Sequence, residues 1–136
     1  MGIIENFGEA AGRIWRELDQ HGSLNQNRLL KTVDLDEKLF FTAVGWLARE
    51  NKISQYGLYY KLCPSNLEGK IGPNAGKLLH ILTRFGGIDE LYLPLLADLS
   101  KEEVYTALGW LAREGKVSAE AFQPTQPQIC YYINSE

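Results

Sequence analysis

The sequence predicts a mainly α fold with small β wings, built as two tandem copies of one compact unit, and three observations carry that prediction. First, Phe7 to Ser54 aligns without a gap on Ile71 to Ser118 at a constant offset of 64, with 18 identities in 48 positions. Those identities include the block Gly45-Trp46-Leu47-Ala48-Arg49-Glu50 against Gly109-Trp110-Leu111-Ala112-Arg113-Glu114. A gap-free match of that length is a duplicated structural unit. Second, each copy carries apolar residues at helical spacing that give way to short strand-like runs. Third, 136 residues at 45% hydrophobic and 23% charged provide for two units, each gaining stability from its neighbour.

The elements follow in order. Ala11, Ile14, Trp15 and Leu18 set a first helix, matched by Ala75, Leu78, Leu79 and Leu82. Glycine stops it at His21-Gly22 and at Phe85-Gly86-Gly87. A brief extended step leads to a short helix carrying Leu29 and Val33, or Leu93 and Ala97, where Pro94 delays or kinks the second copy. Asp36 and Ser100 are N-cap residues for a third helix, and Glu103 completes a capping box in the second copy only, Leu39 standing in its place in the first. That helix buries Phe40, Ala43, Val44 and Leu47, or Val104, Ala107, Leu108 and Leu111. Lys52 to Gln55, a turn at Tyr56-Gly57, and Leu58 to Leu62 read as a hairpin. The second hairpin pairs Lys116-Val117-Ser118 with Ile129 to Ile133 across a longer loop, Ala119 to Gln128, containing Pro124 and Pro127. Turn formers from Cys63 to Lys70 divide the chain into 1–64 and 65–136.

Helix, helix, helix, hairpin is the plan of a winged helix-turn-helix domain, so the expected architecture is two of them in tandem. The segments Ile71-Gly72-Pro73-Asn74-Ala75-Gly76-Lys77 and Val104 to Lys116 carry a resemblance to an uncharacterised prokaryotic winged-helix family. Domains of that family usually occur singly, so the tandem form is a departure. The family's function is unknown, and the resemblance therefore implies the fold rather than a mechanism.

Composition narrows the functional classes. The net charge is −3, against the sign expected of a protein that coats nucleic acid nonspecifically. Two cysteines make no disulfide framework and suit a reducing, cytoplasmic setting. The run Met1 to Asn6 shows no features of a secretion signal, and Asn6 stands where myristoylation requires Ser or Thr. Gly72 to Leu78 falls short of a phosphate-binding loop, having three residues between its glycines and Leu78 after the lysine. Close packing of the first helix is the simpler reason for those glycines and for Gly8 and Gly12. His21, His80, Cys63 and Cys130 are scattered singly, without metal-ligand spacing. The expectation is a protein without cofactor, metal, membrane segment or catalytic activity.

The third helix is the candidate recognition element. Its face away from the core carries Lys38, Phe41, Thr42, Gly45 and Arg49, and in the second copy Glu102, Tyr105, Thr106, Gly109 and Arg113. Base reading favours Arg, Lys, Asn or Gln near the helix start, whereas Asp36-Glu37-Lys38 and Lys101-Glu102-Glu103 stand there. An aromatic residue, a Thr and a mid-helix Gly on one face suit protein packing as well, with Phe41 and Tyr105 as interface candidates.

The copies also differ in charge. Arg28, Lys31, Lys38, Arg49, Lys52 and Lys61 give the first copy a set suited to gripping phosphates, with Tyr56 and Tyr59 flanking its wing turn. The bland reading of the same set is a solvated surface with packed wing aromatics. In the second copy Leu91, Tyr92, Leu95 and Leu96 replace Asn27, Arg28, Lys31 and Thr32, which predicts an interface covered by the first copy or by a second molecule. Three readings result. The first is a DNA-binding-type regulator or adaptor in which the first copy meets nucleic acid and the second associates. Another is a protein-interaction module without DNA binding. The third is small-molecule sensing in an aromatic cleft between the copies.

Overall fold

The computed structural model describes residues 2–122 and 128–134. Helix α1 (Ile3–His21) buries Phe7, Ala10, Ala11, Ile14 and Leu18 and ends at Gly22, whose φ of 76° lets its N–H donate to the Leu18 carbonyl at 2.8 Å. Strand β1 (Leu24–Asn25) leads to α2 (Gln26–Val33), capped by Asn25 Oδ1, which accepts from Arg28 N at 2.9 Å. Asp36 caps α3 (Glu37–Arg49) through Leu39 N. Strands β2 (Ile53–Tyr56) and β3 (Tyr59–Leu62) close the first wing. Their turn lies at Gly57-Leu58, one residue later than the sequence predicts, because the positive φ falls on Gly57.

The second repeat follows the same course. Its elements are α4 (Glu68–Phe85), β4 (Ile88–Asp89), a 3₁₀ turn (Glu90–Tyr92), α5 (Leu93–Ala97), α6 (Lys101–Arg113), β5 (Val117–Phe122) and β6 (Gln128–Ile133). Pro94 stands in the first turn of α5, which is shortened to five residues behind the 3₁₀ turn. Ser100 and Glu103 form the expected capping box on α6. Strand β5 runs on to Phe122, beyond the expected Ser118, since its ladder with β6 continues through Phe122 opposite Gln128. Pro124 and Pro127 lie outside the described residues. The two sheets have equivalent orders, β1-β3-β2 and β4-β6-β5, and equivalent registers, with Leu24 opposite Tyr60 and Ile88 opposite Tyr131.

Packing departs from a string of two independent units. Helices α3 and α6 make the most extensive helix–helix contact in the molecule. Two hydrophobic cores result, and each borrows from the other repeat. Phe7 of α1 lies in the core beneath α4 and α6, while Leu67 and Ile71 lie in the core beneath α1 and α3. The turn-rich segment read as a boundary therefore runs directly into a helix whose first turn is anchored in the preceding repeat.

Candidate functional site

The face of α3 that points away from its own core meets the equivalent face of α6. Phe41, Thr42 and Gly45 are all buried there. A Cβ built on Gly45 would overlap the Thr106 carbonyl oxygen, and one on Gly109 would overlap that of Thr42. The two mid-helix glycines thus allow backbone-to-backbone approach of the two helices. Tyr105 is half-buried and packs against both cores. Trp46 and Trp110 lie at the same junction, and a Cβ on Gly8 would stand 3.1 Å from the Trp46 ring. Gly76 faces open space, so close packing does not account for it.

Reciprocal ion pairs frame this contact. Arg49 Nε donates to Glu114 Oε2 at 2.9 Å, and Arg113 Nε donates to Glu50 Oε2 at 2.9 Å. Each guanidinium also stands over the other repeat's indole, Arg49 at 5.7 Å from the Trp110 ring centre and Arg113 at 5.9 Å from that of Trp46. Lys38 Nζ reaches Glu90 Oε1 across the repeats at 2.7 Å, and Lys52 pairs with Glu50 at 3.6 Å. Of the six cations read as a phosphate-gripping set, Lys38 and Arg49 are therefore turned onto the second repeat. Lys38 is half-buried against Glu90, while Arg49, paired to Glu114, stays exposed. Arg28, Lys31 and Lys61 are exposed and, among the described residues, form no ion pair. At the first wing tip Tyr56, Leu58 and Tyr59 are also exposed.

The apolar cluster of the second repeat is not covered by the first. Leu91 and Leu95 are each 79% exposed, with Tyr92 and Leu96 also in the open. Tyr92, Leu95 and Leu96 border a shallow apolar groove closed on its other side by Gly87 and Cys130. The first repeat docks through α3 and so leaves this face free within the chain; of the two covers expected, the first copy and a second molecule, the first copy is not the one.

The sequence suggests an aromatic cleft between the copies without identifying the residues that line one. A cleft of about 250 Å³ opens between the repeats, with Phe41, Tyr60 and Ile71 as its apolar wall and Gln26, Gln55 and Glu102 among its polar groups. The Tyr60 hydroxyl donates to Gln26 Oε1 at 3.0 Å. Burial first, and the Glu102 charge second, push its pKa far above the usual tyrosine value, so the cleft meets a neutral phenol. Glu103 beside it is held below the usual carboxylate range, chiefly by the Ser100 backbone N–H that it accepts.

Among the described residues no three His, Cys, Asp or Glu side chains converge on a common point. Cys63 Sγ lies 2.7 Å from Ser54 Oγ as part of the first wing's packing. Burial, followed by Asp89, raises the Cys130 thiol, which is the opposite of nucleophile activation. Among the described residues no helix is long and apolar enough to cross a membrane. A family model described as "Winged helix-turn-helix domain (DUF2582)" matches the chain twice, over residues 4–57 and 67–127. No curated protein and no solved structure matches it.

Proposed function

The chain belongs to the DUF2582 family of winged helix-turn-helix domains through both of its halves, and from that premise we propose that it is a non-catalytic adaptor acting by protein contact. The fold is one associated with DNA-binding and regulatory roles, but fold alone does not fix function. One observation carries the reading. The helix faces that would enter a major groove are buried against each other at Gly45 and Gly109, so base readout by α3 or α6 would require the repeats to separate. The outward surface with interface character is instead Leu91, Tyr92, Leu95 and Leu96 on the second repeat. Leaving large apolar side chains in water forgoes roughly 1.5–3 kcal/mol each, which favours a protein partner on that face.

Sedimentation of the full chain, alone and with random duplex DNA at two salt concentrations, tests the proposal. The expected result is no salt-sensitive DNA complex, together with weaker association after Leu95→Lys and Tyr92→Arg. An unaltered assembly and an unaltered melting temperature in that variant would remove the patch as a contact surface. A second reading rests on the first repeat alone. Exposed Arg28, Lys31 and Lys61 suit phosphate contact that does not involve α3, and a DNA complex whose affinity falls steeply with salt would put this reading first.

A further inference from the structure

We infer that the cleft between the repeats is a binding site for a small organic cation with a short apolar body, a primary amine or guanidinium on a compact hydrocarbon. This goes beyond the adaptor reading and does not depend on it.

The duplication gives the cleft an internal counterpart. Every position lining the cleft has an equivalent across the repeat contact, and the two sets are filled differently. On the equivalent side Lys38 extends from α3 and its ammonium meets Glu90 Oε1 at 2.7 Å. The Tyr131 hydroxyl, equivalent to Tyr60 by sheet register, adds a 3.3 Å hydrogen bond to the same oxygen. Phe7, in the second core, and Leu39, packed against it, hold the apolar positions on that side. The chain itself thus places a cation, its counter-charge and an aromatic ring at that site.

In the open cleft the tyrosine is kept and the others are changed. Glu102 stands where Lys38 stood, Gln26 where Glu90 stood, Ile71 where Phe7 stood and Glu103 where Leu39 stood. At the Lys38 position a carboxylate has taken the place of the cation, a smaller side chain replaces the ring, and Lys70 enters the lining as one cation against the two carboxylates of Glu102 and Glu103. Glu103 is already engaged, its Oε1 accepting the Ser100 N–H at 2.9 Å, and the Lys70 charge acts on it. Among the described residues Glu102 has no ion-pair partner. A helix N-terminus alone would invite an anion, but the first turn of α6 carries Glu102 and Glu103, and an incoming anion would meet both.

The remaining groups fit the same class of ligand. Tyr60 stays a neutral hydroxyl whose proton is committed to Gln26 Oε1, which leaves the Tyr60 oxygen able to accept from an ammonium or guanidinium N–H. Phe41, Tyr60 and Ile71 offer a buried apolar and aromatic wall, favourable to a hydrocarbon body and to a cation near a ring face. At about 250 Å³ the space suits a ligand at the small end of the usual range. Because its walls come from both repeats, an occupant would tie them together.

Amide chemical-shift titration of the full chain with phenethylamine tests the inference, with 2-phenylethanol and phenylacetate as neutral and anionic counterparts. The expected result is saturable shifts centred on Gln26, Gln55, Tyr60, Glu102 and Thr106, at millimolar affinity as befits so small a probe. The alcohol should bind at least about tenfold more weakly, as should phenethylamine to the Glu102→Gln variant. Glu102→Lys, which restores the other side's own choice, should abolish binding. Glu102 is exposed, so spectra of both variants should overlay on the parent away from the cleft, separating loss of binding from loss of fold. Equal binding of amine and alcohol, tighter binding of phenylacetate, shifts centred on Leu91 to Leu96, or no saturable shift with any probe would each overturn the inference.

Discussion

Phe7 lies in the hydrophobic core of the second repeat, and Ile71, its equivalent 64 residues later, lies in the core of the first. Each repeat therefore completes its interior with a side chain from the first helix of the other. This exchange resembles an isologous dimer interface written into one chain.

Cooperative unfolding follows from that exchange. Phe7→Ala should cost about 3–5 kcal/mol and should lower the stability of the whole chain rather than of the first repeat alone. Fragments 1–64 and 65–136 each lack a core residue held by the other, so neither should show a native melting transition alone, and mixing them should restore one. Calorimetry of the chain, the fragments and the mixture checks this. Two independent transitions with midpoints preserved in the fragments would contradict it.

Gly45 and Gly109 reverse the usual helix rule. Replacing a mid-helix Gly with Ala normally adds about 1 kcal/mol of stability. Here the new methyl would overlap a carbonyl oxygen of the facing helix, and Gly45→Ala or Gly109→Ala should instead cost about 1–3 kcal/mol. Gly76→Ala, at a helical site with open space, should stabilise and serves as the control. Denaturant midpoints of the three variants would show opposite signs, and a stabilised Gly45→Ala would sink the close-approach account.

The capping box on α6 gives a pH signature. Its Glu103 carboxyl is held below the ordinary value, first by the Ser100 N–H and with help from the Ser100 hydroxyl, Lys70 and Asn74, against the opposing effect of burial. A depressed carboxylate adds stability that is present above its unfolded pKa and is lost as pH falls through the folded value. Glu103→Gln keeps the box but removes the charge. The parent's advantage over this variant should therefore be full at neutral pH and shrink on acidification through the carboxylate range, as followed by thermal melts. Ser100→Ala should cost about 0.5–2 kcal/mol by removing the cap itself. A parent-minus-variant difference that stays flat with pH would exclude the charge effect.

Should duplex DNA bind at all, its contacts are expected from Arg28, Lys31 and Lys61. Neutralising each to Gln should lower the dependence of log affinity on log salt by about one unit per lost phosphate contact. Changing Lys38 should have no such effect, because Glu90 already holds its ammonium. A slope that responds to Lys38 and ignores the other three would place the contact on the wrong surface.

Local features were legible in the sequence. Helix periodicities, the stops at Gly22 and Gly86, the caps at Asp36 and Ser100 and the core faces of both third helices depend on neighbours a few residues apart, so a one-dimensional pattern contains them. The offset of 64 between Phe7–Ser54 and Ile71–Ser118 likewise made the tandem plan legible. Tertiary structure alone decided what the outward face of α3 meets. Phe41, Thr42 and Gly45 present the same pattern whether a groove of DNA, a partner or the other repeat covers them, and only the complementary fit of Gly45 to Thr106 and Gly109 to Thr42 selects among these. The lining of the cleft was hidden for a related reason. Gln26 and Glu102 are far apart in the chain, and their meeting depends on the docking of two surfaces. The one signal that pointed to it was the exchange of Lys38 for Glu102 and of Gln26 for Glu90 at matched positions, which acquires meaning once the repeats are seen face to face.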